Sequence, residues 1–332
     1  MEKIIVDIYG ADAGAETIIL GVAKAIKQLN VFPVLVGDNN AITKIMNSCG
    51  IQESRYEVIH TTDYITNNEP PTCIFGGRDE SSVALGYKRL KEDPECTALL
   101  SPGNSGALLV GSICRLGLLP SIKFPSLCSA LPCAKDNLVT LVDCGAVIDC
   151  TANDLVRFAL MGNVFSKCYC GITNPRIGLM SVGREDSKGN ALSQEAFAKL
   201  KELDINFIGN IEGSDMVSGY ADVIVTDGFS GNILLKNTEA VGKKAIEIVE
   251  ALGTDCPELT QKIKQELLNK FDFNSRGAAT FLGTKKPVVK MHGCANQDTT
   301  VASIEQILRL NKANFSEKMS NIFISVNGGN KN

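Results

Sequence analysis

Glycine, carboxylate, amide and lysine side chains recur together in short turns, and the pattern suits the binding of a small oxyanion. In segment 221–252 the β-branched run 222–226 stops at Asp227 and Gly228; Gly231 and Asn232 follow, and Lys236 lies just inside a stretch of helical spacing. A glycine-rich turn that leaves a strand and opens a helix presents N–H groups with no partner inside the helix, and these attract anions. The same event recurs along the chain. Asp7 and Asp12 close the run 3–7, Asn104, Ser105 and Gly106 follow 97–100, and Asp143 and Gly145 follow 139–142. Gly183, Glu185, Lys188 and Asn190 follow 176–182, Glu212 and Asp215 come after 206–209, and His292 ends 288–291. Arg78, Arg184, Lys188, Lys236 and His292 are the candidate cations for phosphate or a similar anion.

Other chemistries lack their residues. No GxGxxG turn with a following ribose-binding acid and no GxxxxGK[ST] loop occurs, so nicotinamide and nucleoside-triphosphate chemistry is unsupported and no cofactor is expected. The two histidines, His60 and His292, and the absence of GxSxG argue against a Ser-His-Asp hydrolase. The spacing of the carboxylates selects no metal, and they are read as loop organisers that accept backbone N–H bonds.

The elements that must position these turns follow an α/β pattern. Run 3–7, the helical face Ile19, Val22, Ala23, Ile26 and Leu29, and run 32–36 make a β-α-β opening, which predicts a mostly parallel sheet. Helices are predicted over 83–92, 107–118, 153–165, 193–203 and 300–310. In such a sheet the carboxyl ends of the strands lie along one edge, so the turns are expected to converge on one cleft. Val241, Ala245, Ile248, Val249 and Leu252 fall at helical intervals and are expected to pack on the sheet. Arg78 with Ser81 and Ser82 either holds an anion or caps the helix that follows.

A chain of 332 residues suggests an α/β unit with two lobes around the cleft. Hydrophobic residues at 44% and charged residues at 21% are ordinary for a globular enzyme, and a net charge of −4 argues against a nucleic-acid partner. The N-terminal run is broken by Asp7 too early for a signal peptide, and no run reaches membrane-spanning length, which points to the cytoplasm. Twelve cysteines without a Cys-x-x-Cys pair are read mostly as small apolar residues in a reducing compartment.

The turns Ser101-Pro102-Gly103-Asn104-Ser105-Gly106-Ala107-Leu108, Val182-Gly183 with Lys188-Gly189-Asn190, Asn210-Ile211-Glu212-Gly213-Ser214-Asp215, and Asp227-Gly228-Phe229-Ser230-Gly231-Asn232 with Leu235-Lys236 resemble the PlsX family. The resemblance runs in order from Ile4 to about Leu310. It implies a three-layer α/β/α fold of the isocitrate dehydrogenase and phosphotransacetylase type, and a homodimer. It also implies transfer of a fatty acyl group from acyl carrier protein to inorganic phosphate, giving acyl phosphate for phospholipid synthesis. Phosphate itself is the nucleophile in that reaction, so no catalytic triad is required. Asn104, Ser105, Lys188, Asn190, Asn232 and Lys236 then become ligands of the phosphate or the thioester carbonyl. Asp143, Glu185, Glu212 and Asp227 hold them in place, and His292 becomes an acid for the leaving thiol.

The chain departs from the family at specific positions. Where the family reads Asp-Ala-Met-Gly-Gly-Asp, this chain has Tyr9 and Ala11; Val147 replaces an asparagine after Asp143-Cys144-Gly145-Ala146, and Cys294 replaces a serine. Segment 253–273 carries Leu259, Ile263, Leu267, Leu268 and Phe271 beside Lys262, Lys264 and Lys270, which suits either a dimer contact or peripheral membrane contact. Two alternatives to fatty acyl transfer follow. One is a paralogue acting on a short acyl thioester, of the phosphotransacetylase or glycine reductase component type, with Cys144 or Cys294 carrying the acyl group; the other is a non-catalytic binding protein.

Overall fold

The run after Met1 forms β1 (Glu2–Asp7), a strand whose last four residues are all buried. Helix α1 (Ala15–Gln28), strand β2 (Val31–Gly37), helix α2 (Asn39–Ser48), β3 (Glu57–His60), α3 (Ser82–Glu92), β4 (Cys96–Ser101) and α4 (Ser105–Gly111) follow. The chain continues through β5 (Ser126–Pro132), β6 (Leu138–Val142), α5 (Ala152–Phe165), β7 (Ile177–Met180), α6 (Ala191–Lys201), β8 (Phe207–Ile211), β9 (Val223–Val225), α7 (Gly228–Leu252) and α8 (Pro257–Phe271). It ends with β10 (Ala279–Leu282), β11 (Val288–Lys290), α9 (Gln297–Lys312) and α10 (Phe315–Gly328). The structure, a computed structural model, describes residues 1–134, 137–253, 256–271 and 277–328. Residues 254, 255, 272 and 273 of the expected contact segment 253–273 lie outside that description. Two units divide the chain: Met1–Pro125 with Gly277–Asn332, and Ser126–Arg276.

In the first unit the strand order is β3-β2-β1-β4-β11-β10, parallel except for the antiparallel pair β10–β11. Ile4, Val6 and Ile8 join a buried cluster with Ile18, Ile19 and Val22 of α1, Ile42 and Met46 of α2, and Ile304 and Ile307 of α9. Ile5 and Leu99 meet α3 instead, so closely that a Cβ on Gly86 would lie 2.9 Å from Leu99. Strands covered on both faces must be apolar throughout, which is why they are legible as runs. Each fully buried isoleucine in such a layer stabilises the fold by roughly 2 to 3 kcal/mol.

The second unit repeats the plan with strand order β5-β6-β9-β7-β8, in which only β5–β6 is antiparallel. One face of its sheet packs Val139, Leu141 and Ile224 with Leu234 and Leu235 of α7. On the other face α5 comes close enough that a Cβ on Gly162 would lie 2.7 Å from Val223. Each unit is therefore a sheet between helical layers, the α/β class expected from the sequence.

Several elements differ from that expectation. Strands β5 and β10 are not predicted by the sequence pattern, and each pairs antiparallel with its neighbour. Helices α2 and α10 are also additions. Only Ile42 and Met46 of α2 are buried, and its start is set by Asp38, whose side chain accepts the Asn40 N–H. The face of α7 expected on the sheet is largely exposed: Val241 is 54%, Ile248 47% and Leu252 77% accessible. The first turns of α7 are seated through Gly228 and Gly231, and farther along the helix packs on α8, where Gly242 lies against Phe271. Helical periodicity reports an apolar face but not which surface covers it.

Gly231 makes the close approach that seats α7. A Cβ there would lie 1.9 Å from the Asp143 carbonyl oxygen, which leaves no room without backbone movement. Alanine normally favours a helix over glycine by up to about 1 kcal/mol. Here Gly231→Ala is expected to destabilise the protein by roughly 1 to 3 kcal/mol through overpacking, read as a lower urea midpoint. An unchanged or higher midpoint would contradict the close approach.

Candidate functional site

In the second unit the turn after β6 is built on Asp143, which is buried. Its carboxylate accepts N–H bonds from Leu127 at 2.8 Å, Gly145 at 3.1 Å, Ala146 at 3.0 Å and Val147 at 2.6 Å. Burial outweighs these donors and pushes the Asp143 carboxyl up to about 6. The turn in turn receives α7: Gly228 donates its N–H to the Val147 carbonyl at 2.8 Å. Asp227 caps α7, its Oδ1 accepting from the Ser230 N–H at 2.8 Å and its Oδ2 from the Ser230 hydroxyl at 2.9 Å. Gly145 and Asn232 face each other, since a Cβ on Gly145 would sit 3.5 Å from the Asn232 side chain.

The turn after β7 carries Gly183, Glu185, Lys188 and Asn190. A Cβ on Gly183 would lie 2.9 Å from the Glu185 carboxylate, so glycine lets the turn fold onto its own side chains. Asn190 caps α6 by accepting the Ser193 N–H at 2.9 Å, and Asn210 ties the turn to β8 by donating to the Glu185 carbonyl at 2.9 Å. Between the starts of α6 and α7 lies a cavity of about 190 Å³ lined by Ser181, Gly189, Asn190, Thr226, Asp227 and Ser230 among others. The Ser181 hydroxyl is buried there without a hydrogen-bond partner among the described residues. Such a group calls for a ligand or ordered water.

The cations divide by their partners. Arg184 is committed to the buried Asp215 carboxylate at 2.5 Å and stacks over Tyr220. Glu212 is joined to the same residue, its N–H donating to Asp215 Oδ2 at 2.9 Å. Lys236 is exposed and lies 2.7 Å from the Glu239 carboxylate. Lys188 is exposed and has no ion-pair partner among the described residues.

In the first unit Asp7 is the corresponding buried carboxylate. It accepts from the Ser101 hydroxyl at 2.7 Å and the Tyr9 N–H at 3.1 Å, and Ser101 accepts from the Gly103 N–H at 2.9 Å. Burial pushes the Asp7 carboxyl up to about 6 against the hydrogen bonds from Ser101, Ser82 and Tyr9. Gly10 has φ +107°, and a Cβ on it would lie 2.5 Å from the Gly103 Cα, so the turns after β1 and β4 touch through glycine. Asn104 uses its side chain on the loop: Oδ1 accepts from the Ala107 N–H, and Nδ2 donates to the carbonyls of Thr66 and Glu69. Ser105 is exposed, and Gly106 lies against Pro71. Asp12 donates its N–H to the Gly293 carbonyl at 2.7 Å, beside His292 and Cys294. Arg78, offered by the sequence as an anion ligand, instead pairs with Glu69 at 2.6 Å and Asp63 at 2.8 Å. Sequence reasoning misses Ser181; its position at the end of an apolar run is the available signal.

Each unit is a mostly parallel α/β scaffold whose strands end in turns that carry glycine and a buried carboxylate. The chain belongs to the fatty acid synthesis protein family, whose model matches residues 2–318. It is 33% identical over 336 residues to a phosphate acyltransferase of Clostridioides difficile, covering 99% of this chain and 98% of that one. A phosphate acyltransferase of Thermoanaerobacterium thermosaccharolyticum is 36% identical over 320 residues, covering 92% and 91%. A solved phosphotransacetylase from Streptococcus pyogenes shares the fold with a TM-score of 0.65 at 17% identity, covering 95% of this chain and 94% of that chain.

The buried acid of the first unit has a pH signature. Its folded value, about 6, lies above the unfolded 3.8, so the folded protein holds the proton more tightly. The stabilisation is full below the unfolded value and is lost as pH rises through the folded one, a span worth roughly 3 kcal/mol. Asp7→Asn removes this dependence. Urea unfolding of both proteins from pH 4 to 7 should show wild type losing stability relative to the variant as pH rises; parallel curves would contradict the assignment.

Proposed function

We propose that this protein transfers a fatty acyl group from acyl carrier protein to inorganic phosphate, giving acyl phosphate for phospholipid synthesis. The observation that carries the proposal is the cavity between the starts of α6 and α7, where the buried Ser181 hydroxyl lacks a partner among the described residues. Helix-start N–H groups and this hydroxyl suit phosphate oxygens. A phosphate oxygen attacks the thioester carbonyl carbon, the tetrahedral oxyanion collapses, and the carrier thiol leaves. Lys188, Asn232 and Lys236 supply donors to phosphate or oxyanion, and Asn190 and Asp227 keep the helix starts in register. The names of the relatives support phosphate as acceptor.

The same proposal includes a homodimer in the cytoplasm. The exposed Val241, Ile248, Leu252, Leu259 and Ile263 of α7 and α8 support a contact role for that pair of helices. No helix among the described residues is long and apolar enough to cross a membrane. Peripheral membrane contact is the competing use of the same surface, and flotation with anionic vesicles separates the two.

Release of carrier thiol with and without phosphate tests the reaction. Lys188→Ala should raise the phosphate KM by about tenfold or more, and loss of an oxyanion donor should lower kcat by roughly a hundredfold. If Lys188→Ala and Lys236→Ala both keep wild-type transfer and phosphate KM, the site is wrong.

A further inference from the structure

We propose that Asn210 is a positioning residue for phosphate binding, holding the turn of Lys188 so that the lysine ammonium meets the cavity between the starts of α6 and α7. This rests on the reading of Lys188 as a phosphate ligand given above. Asn210 lies in β8 and is 3% exposed. Its Nδ2 donates to the Glu185 carbonyl at 2.9 Å and, at 3.5 Å, to the Lys188 carbonyl. The Glu185 carbonyl also accepts the Lys188 N–H at 2.9 Å, so one buried amide grips both ends of the tight turn 185–188. Lys188 is bracketed by the cavity wall. Gly189 and Asn190, which follow it, line the cavity, and so does Val182. The Lys188 stem crosses Gly183, next to Val182, where a Cβ would lie 3.1 Å from the lysine Cγ.

A second amide holds the same turn from the outside. Gln194 of α6 donates its Nε2 to the Ser187 carbonyl at 3.0 Å and to the Gly189 carbonyl at 3.1 Å, but it is exposed. Water competes for an exposed hydrogen bond and replaces it when it breaks, whereas a buried one is stronger and leaves its acceptor bare when lost. The buried Asn210 therefore decides where the turn sits. Its Oδ1 is buried without a partner among the described residues, so the side chain serves the turn through its donor end alone. A shift of the turn moves the ammonium with it, and a displacement of about 1 Å in a positioned group can cost on the order of a hundredfold in rate.

Asn210→Asp keeps the shape of the side chain and puts an oxygen where the donor was, facing two carbonyl oxygens. The test measures carrier-thiol release from fatty acyl carrier protein at varied inorganic phosphate for full-length wild type, Lys188→Ala, Asn210→Asp and the double variant. Each single variant should raise the phosphate KM by about tenfold, and the double variant by about the same factor, because one contact is lost in all three. Asn210→Ser, too short to span the turn, carries the same expectation if urea unfolding shows Asn210→Asp to be unfolded. A rise of about a hundredfold in the double variant, the product of two independent losses, overturns the proposal. Wild-type phosphate KM in a folded Asn210 variant, or loss of folding in both, also overturns it and leaves Asn210 a structural role. Wild-type phosphate KM in Lys188→Ala removes the ligand assignment itself, and the proposal with it, so the two failures are read from different proteins.

Discussion

The arrangement of the second unit depends on one buried carboxylate receiving backbone N–H groups at the end of a strand. Asp143 gathers donors from Leu127, Gly145, Ala146 and Val147, and so closes a turn whose own amides would otherwise be buried without partners. That turn then offers the Val147 carbonyl to Gly228 and the Asp143 carbonyl to the underside of Gly231. The position of α7 follows from it, and with α7 the wall of the cavity. An apolar side chain of similar volume at 143 would leave several amides without an acceptor at once.

The first unit solves the same problem with a shorter relay. Asp7 receives Ser101, and Ser101 receives Gly103, so β1 and β4 share one closed turn. Lys290 adds a bond to the Pro102 carbonyl at 3.0 Å, which links β11 to that turn. Asn104 then extends the order outward to the 66–69 loop. Its amide is consumed in structure, which moves the weight of ligand binding toward backbone groups and the more exposed side chains.

Much of this is legible in the sequence because strands covered on both faces must be apolar and their turns need glycine with a carboxylate. Ile4 to Asp7 and Val223 to Val225 are such cases. The antiparallel β5 escapes because Ser126 and Ser129 interrupt its apolar character and Pro125 precedes it. Partnership is also hidden: Arg78 looks like an anion ligand beside its serines until Glu69 and Asp63, upstream in the same loop, are found against it. Ser181 is hidden for the opposite reason, since only its lack of a partner among the described residues marks it.

The departures from the family pattern at Tyr9 and Val147 are absorbed by side chains that turn away from the turns they belong to. Tyr9 donates its hydroxyl to the Thr61 carbonyl at 3.3 Å and accepts the Asp38 N–H at 3.1 Å, and its ring stacks on Tyr64 with centroids 4.7 Å apart. Val147 buries its side chain while its N–H serves Asp143 and its carbonyl serves Gly228. At both positions the bonds that shape the turn come from the backbone and do not require a particular side chain, so the shape survives the change. Position 294 differs in kind, because a thiol there stands where the family has a hydroxyl, next to the His292 imidazole.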